Sequence, residues 1–179
     1  TYTYDANQNV LTKPDAAFTY DALDRIATMT DDHGSTQYTY DAAGNTIKVV
    51  RDTQTIQYQY DAYGNRTKIT YPDNTSITYQ YDLAGRMTKT VNASHYSNYE
   101  YDALGRMTKE WMCNNVVITK SYDNNGNQLT QLTKLGTRTL SSYTYVYNAI
   151  NSVAKQTEIL NGATTVKEYS YNENDELIK

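Results

Sequence analysis

The chain has 179 residues, a formal net charge of -4, and 20 tyrosines against one tryptophan, one phenylalanine and one cysteine. Its charges are mild and interspersed, which leaves no basic groove for nucleic acid, and no apolar run approaches a membrane span. A single cysteine excludes an internal disulfide framework, so apolar burial must come from tyrosine rings with scattered Ile, Val, Leu and Met, each buried hydroxyl needing a partner or water.

The first hairpin is read from Tyr2 to Leu11, around a turn at Asp5. Pro14-Asp15 separates it from a second, where Phe18 stands in for a tyrosine and the turn lies at Asp21. Asp31-Asp32-His33-Gly34-Ser35 reads as a polar turn. From Tyr38 to Trp111 one pattern recurs closely: Tyr, any residue, Tyr, Asp, two residues, Gly, then Arg or Asn and a Thr/Lys-rich segment. Tyr71-Pro72-Asp73-Asn74 is a turn between hairpins, with proline fixing φ at its second position. Asn92-Ala93-Ser94-His95 and Asn114-Asn115 do the same job later in the chain. Past Asp123 the spacing stretches, and Lys134-Leu135-Gly136-Thr137 and Asn161-Gly162-Ala163 read as longer hairpin turns. Further copies of the pattern turn at Asn148 and Asn172. No segment carries a sustained helical period, so almost no helix is expected.

A fixed step of about 20 residues means a repeat architecture. In one unit, Tyr58 and Tyr60 are two apart and share one face of a strand with Ile56. Asp61 accepts a backbone N–H two residues on, as an Asx-turn. Gly64 takes the left-handed position of a three-residue loop closed by a G1 bulge, and Thr67, Lys68 and Ile69 return as the second strand. The structural turn residues expected on this reading are Asp41 and Gly44, Asp61 and Gly64, Asp82 and Gly85, Asp102 and Gly105, and Asp123 and Gly126. The glycine slot holds Asp24, Asn151 and Asp175 in other copies, residues that tolerate positive φ, whereas Gln8 in the first copy does not fit that preference. The expected tyrosine ladder is Tyr38, Tyr40, Tyr58, Tyr60, Tyr79, Tyr81, Tyr99 and Tyr101.

The turn also sets cross-strand neighbours. Tyr101 is expected to face Met107 and Tyr99 to face Lys109, so that one face carries Tyr, Tyr, Met and the Lys stem. Asp102 would meet Arg106, Asp21 Arg25 and Asp82 Arg86, as exposed surface pairs worth about 0–1 kcal/mol each.

These residues place the chain in an all-β class: tandem antiparallel β-hairpin repeats forming one continuous curled sheet, a β-shell or spiral segment. Residues 1–179 are expected to be a single array of about nine repeats, best formed over 38–127 and degenerate over 1–37 and 128–179. The chain opens in one repeat and stops in another, so it is expected to be part of a longer protein, with any targeting signal elsewhere.

The Tyr-x-Tyr-Asp-x-x-Gly-Arg/Asn pattern resembles the YD repeats, also called Rhs repeats, of bacterial Rhs proteins, Tc toxin shell components, wall-associated proteins and teneurins. The resemblance spans the chain and is strongest from Tyr38 to Asn127. It implies a hairpin strip spiralling into a hollow shell of a secreted or surface protein, which in toxin members encloses a C-terminal effector. Those members also carry a self-cleaving aspartyl protease after the repeats. Here every Asp of the pattern lies in a repeat turn, so autoproteolysis and toxicity are not carried over.

Function is therefore expected to be structural, with flanking repeats of the same or neighbouring chains as partners and an encapsulated effector polypeptide or a glycan as contents or ligand. Two other classes fit the pattern: a carbohydrate or cell-wall-binding module using the tyrosines, and a self-assembling fibre or tube built through open strand edges. An enzyme is not expected. The sequence shows no metal-ligand spacing, no phosphate loop and no nucleophile–base constellation, and it implies no cofactor. Cys113, with His33 and His95 in other connections, reads as a small strand residue.

Overall fold

The computed structural model describes residues 1–178, which carry seventeen strands and no helix. They fall into two compact units, one of residues 1–85 and 91–93, the other of residues 86–90 and 94–179. In the first unit lie β1 (Thr3–Tyr4), β2 (Val10–Lys13), β3 (Ala16–Tyr20), β4 (Ile26–Asp31), β5 (Gly34–Tyr40), β6 (Thr46–Arg51), β7 (Gln54–Tyr60), β8 (Arg66–Thr70) and β9 (Ser76–Tyr81). Each pairs antiparallel with the next in sequence. The residues of β10 (Met87–Asn92) are divided between the units. The second unit continues with β11 (His95–Tyr101), β12 (Met107–Met112), β13 (Val116–Tyr122), β14 (Gln128–Leu135), β15 (Arg138–Tyr147), β16 (Val153–Leu160) and β17 (Ala163–Glu168). From β11 onward these too pair in sequence order, all antiparallel. Short connections leave no other option, because parallel neighbours need a long crossover.

The alternation of side chains decides which face is covered. Along β7, Ile56, Tyr58 and Tyr60 are half-buried while Gln57 and Gln59 are exposed. Along β5, Thr36, Tyr38 and Tyr40 are the covered set. Burial is shallow: only Ile69 and Thr36 are buried among the described residues, at 8% and 5% exposure. Tyrosine suits this layer, because a ring covers much area while its hydroxyl reaches an edge where a partner waits.

The hairpin loops explain one departure from the expected register. At each Tyr-Asp turn the pairing shifts by a residue beside the tyrosine, as between Gln59 and Tyr60 or between Glu100 and Tyr101. Tyr101 does oppose Met107, but Lys109 opposes Glu100 and Tyr99 opposes Glu110. The bulge leaves Thr108 without an opposite residue and so moves the Lys109 stem off the tyrosine face. There Lys109 lies 3.9 Å from Glu100 and 4.8 Å from the Trp111 ring.

A second departure concerns the long repeats after Asp123. Their connections are short: Leu135 pairs with Arg138, and Leu160 with Ala163. The extra residues lie in the strands, which run to 8, 10 and 8 residues in β14, β15 and β16, against 5–7 from β5 to β9. Asn161 and Gly162 are both left-handed (φ 49 and 86), the two-residue form that matches strand twist.

Candidate functional site

The recurring residues converge on the junction between one turn and the next repeat. In the turn after β7, the Gly64 N–H donates to the Asp61 carbonyl (3.1 Å) and the Asp61 N–H to the Asn65 carbonyl (2.9 Å). The Asp61 carboxylate closes the loop from inside. Oδ1 accepts the N–H groups of Tyr63 and Asn65, both at 2.9 Å, and Oδ2 accepts the Asn65 side-chain amide at 3.0 Å. Asp41 is held the same way by Asn45, and Asp123 by Asn127. Asp82 accepts the N–H of Ala84, and the Gly85 N–H donates to its carbonyl. In the turn at Asp102, Gly105 N–H donates to the Asp102 carbonyl, and Arg106 replaces asparagine, its Nε 2.7 Å from Oδ2.

Donation to the carboxylate is what Asn and Arg share at the fourth position after Asp. The donated bonds hold these carboxyls below the usual range. For Asp41, Asp61 and Asp123 the first cause is the side-chain amide of the asparagine, and for Asp102 it is the backbone N–H of Arg106. The last turn inverts the pair. Asn172 stands in the Asp slot and donates its amide to Glu176, 2.7 Å away.

The left-handed slot is occupied as its chemistry allows. Gly44, Gly64, Gly85, Gly105 and Gly126 have φ between 76 and 92. Asp24 (57), Asn151 (61) and Asp175 (61) sit in the same region, and so does Gln8 (69), which bears the strain without the local bonding that favours Asn and Asp there. Asp24 and Asn151 also use their side chains across repeats. Asp24 Oδ1 accepts the amides of Asn7 and Asn9, both at 2.8 Å, and Asn151 Oδ1 accepts those of Asn125 and Asn127.

From the second repeat on, the tyrosine before the turn Asp or Asn reaches backwards. Its hydroxyl donates to the carbonyl that opens the returning strand of the preceding repeat. In the first unit Tyr20 bonds Val10, Tyr40 bonds Ile26, Tyr60 bonds Thr46 and Tyr81 bonds Arg66, at 2.8–2.9 Å. In the second, Tyr101 bonds Met87, Tyr122 bonds Met107, Tyr147 bonds Gln128 and Tyr171 bonds Val153, at 2.7–2.9 Å. Burial pushes the phenols of Tyr40, Tyr60, Tyr81, Tyr122 and Tyr147 upward. The other ladder members sit one position further out along the strand; Tyr58 and Tyr79 flank the Arg66 guanidinium at 5.8 and 5.7 Å, while Tyr38 and Tyr99 are half-buried on β5 and β11.

Arginine reaches forwards, which corrects the expectation of exposed surface pairs. Arg25 and Asp21 are each only 27% exposed and lie 2.7 Å apart. Arg25 Nη1 also donates to the carbonyl of Asp41, and its guanidinium stacks 4.4 Å over the Tyr40 ring. Arg106 repeats this with the Asp123 carbonyl (2.7 Å) and the Tyr122 ring (4.8 Å). These arginines tie two repeats together through a bidentate, stacked geometry that lysine cannot copy. Reading each turn against its own strand alone does not find this contact.

No group of three His, Cys, Asp or Glu positioned for a metal occurs among the described residues, nor a helix long and apolar enough to cross a membrane. Cys113 is half-buried, its N–H bonded to the Tyr96 carbonyl. The His33 N–H caps Asp31. A groove of about 900 Å³, open to solvent, runs along the turns at Asp41 and Asp61 and is lined by Lys48, Gln57, Gln59 and Tyr63 among others.

Within each unit, then, antiparallel hairpins are fastened to their neighbours by the turn tyrosines and, at Arg25 and Arg106, by arginine, which defines a structural repeat. The chain belongs to the teneurin YD-shell family, which matches residues 17–179. No curated protein matches it. Among solved structures, the crystal structure of TcdB2-TccC3-TEV superimposes with a TM-score of 0.80 at 15% identity, over 99% of this chain and 12% of that one. A mutant Tc holotoxin pore of Photorhabdus luminescens gives 0.81 at 15% identity, over 99% and 11%. At that identity the likeness shows the fold, and the chain spans about a ninth of the length of those proteins.

Proposed function

We propose that the 179 residues are one array of repeats within the wall of a hollow shell, in a longer secreted or surface protein, and that the shell encloses an effector polypeptide. The observation that carries this reading is the commitment of the recurring side chains. The tyrosine before the turn, the Asp and the Asn or Arg of the pattern each bond within a turn or to an adjacent repeat, as at Tyr60, Asp61 and Asn65, which commits these groups to holding the hairpins together. On this reading the turn Asp and Gly residues and the tyrosine ladder form a structural site, the chain is not an enzyme, and its partners are flanking repeats. Electron microscopy of the intact parent protein from its native source tests it. Closed hollow particles with internal density are expected, whereas open fibres or tubes would replace encapsulation by polymerisation.

A second reading is favoured by the groove beside Tyr63. That ring is 85% exposed at a turn apex, and Lys48, Gln57 and Gln59 line the same surface. An exposed ring flanked by amide and ammonium groups suits a sugar. Retention on a cell-wall polysaccharide column that is lost in Tyr63→Ala would support this reading, and no retention of the unaltered protein would dismiss it.

A further inference from the structure

The chain contains two Asn-Gly pairs, Asn125-Gly126 and Asn161-Gly162. They share the dipeptide most prone to losing its amide, because glycine leaves the attacking backbone nitrogen unhindered. Their surroundings differ. At the first, the Gly126 N–H donates to the Asp123 carbonyl. The Asn125 N–H is bonded to Asp123 Oδ1 (2.9 Å), and the Asn125 amide donates to Asn151 Oδ1 (3.1 Å). Nucleophile, backbone and leaving group are all held. At the second, the Asn161 N–H bonds the Leu140 carbonyl, but neither its side-chain amide nor the Gly162 N–H has a partner among the described residues. Both residues are exposed at the apex joining β16 and β17, and every residue of β17 is exposed as well.

We propose that Asn161 is a site of spontaneous deamidation and that its turn, unlike the one at Asn125, leaves the reaction free to run. The Gly162 nitrogen attacks Asn161 Cγ. The N–Cγ bond forms as the Cγ–Nδ2 bond breaks, the Gly162 amide proton passes to solvent, and Nδ2 takes a proton and leaves as ammonia. Water then opens the cyclic imide at either carbonyl, giving aspartate or isoaspartate, with no change of oxidation state. Isoaspartate lengthens the backbone by one methylene and adds a negative charge. A two-residue turn that sets Leu160 opposite Ala163 cannot absorb that length, so β17 loses its register on β16. Asn161 is thereby an ageing point for this hairpin.

Peptide mapping by mass spectrometry tests the proposal, after incubating the folded and the denatured protein at mildly alkaline pH. In the denatured chain both pairs convert. In the folded protein Asn161 is expected to convert at close to its denatured rate and Asn125 several times more slowly than its own. Folded protein in which Asn125 converts as fast as Asn161, or in which Asn161 keeps its amide, overturns the proposal. A Cβ at Gly162 would meet no atom within 4 Å, although φ of 86° strains any side chain there, so Gly162→Ala is read beside the amide exchange of 163–168 to show that the turn has kept its form. It should slow conversion at Asn161 and leave Asn125 unchanged; unaltered conversion at Asn161 would show that the unhindered nitrogen at 162 is not what makes the site reactive and would overturn the proposal. Amide exchange over 163–168 should rise in the converted fraction alone, and equal exchange in both fractions would remove the structural consequence.

Discussion

The hydroxyl of Tyr122 lies 2.8 Å from the carbonyl oxygen of Met107, fifteen residues earlier and one repeat back. The same ring is covered on one side by the guanidinium of Arg106, whose Nη1 donates to the carbonyl of Asp123. This junction is thus bonded in both directions, tyrosine to the repeat behind and arginine to the repeat ahead.

Arg106→Lys tests the forward contact. Lysine retains the charge but cannot bond Asp102 and Asp123 together while stacking on Tyr122. A loss of about 1–2 kcal/mol in denaturant unfolding is expected, since bonds from a charged donor are the stronger ones. A change within about 0.3 kcal/mol would return this pair to the class of solvated surface contacts.

The inverted pair at Asn172 and Glu176 supplies a design for testing the turn itself. Asp41→Asn removes the charged acceptor of the Asn45 amide, which must flip to accept through its own Oδ1. Asn45→Glu would set two carboxylates together. Each single change should lower the urea midpoint, Asn45→Glu the more, and the double change should recover most of the loss, so that a double-mutant cycle shows coupling. Additive losses would mean that the side-chain bond across the turn contributes nothing.

Acid should unfold the array. Asp5, Asp21, Asp31, Asp41, Asp61, Asp73, Asp102 and Asp123 are all held below their ordinary value, for Asp21 first through the Arg25 side chain. A depressed carboxyl binds its proton more tightly in the unfolded chain. Its contribution is therefore complete above about pH 4, the unfolded value, and is lost as pH falls through the folded one. The urea midpoint should be level between about pH 7 and 5 and should fall below about pH 4. A midpoint that stays level down to about pH 3 would contradict these bonds.

Thr36 is 5% exposed on the tyrosine face, and its hydroxyl has no partner among the described residues. Thr36→Val removes that cost and keeps the branched shape favoured in a strand. A gain of about 0.5–1.5 kcal/mol is expected from denaturant unfolding, and a loss would show that the hydroxyl is satisfied in solution.

Much of the fold is legible in the sequence because tyrosine spacing and turn chemistry are local. Tyr58 and Tyr60 must share a face, and a chain turning every ten residues or so can only make antiparallel neighbours. What lies beyond one turn is not local. The position of Lys109 depends on the bulge at Thr108, which alters the alternation by one residue without any mark in composition. The contact from Arg25 to the Asp41 carbonyl depends on how successive hairpins are staggered. The long strands after Asp123 follow from counting both ends of each hairpin, whereas the repeat step alone does not say whether turn or strand has grown. Gln8 shows the converse: an unfavourable residue takes the left-handed slot because the backbone bonds around it, Gln8 N–H to Asp5 and Asp5 N–H to Asn9, are all made.

The central claim is that the recurring tyrosine couples repeats through its hydroxyl, and one pair of substitutions tests it most directly. Tyr60 bonds the Thr46 carbonyl at 2.9 Å, while the hydroxyl of Tyr58, two residues away on the same face, bonds nothing among the described residues. Unfolding of Tyr60→Phe and Tyr58→Phe should be compared under one set of conditions. Tyr60→Phe is predicted to lose about 0.5–1.5 kcal/mol and Tyr58→Phe to change by less than about 0.5 kcal/mol. Equal effects of the two would mean that the rings alone hold the array, and that the bond from one repeat to the last is incidental.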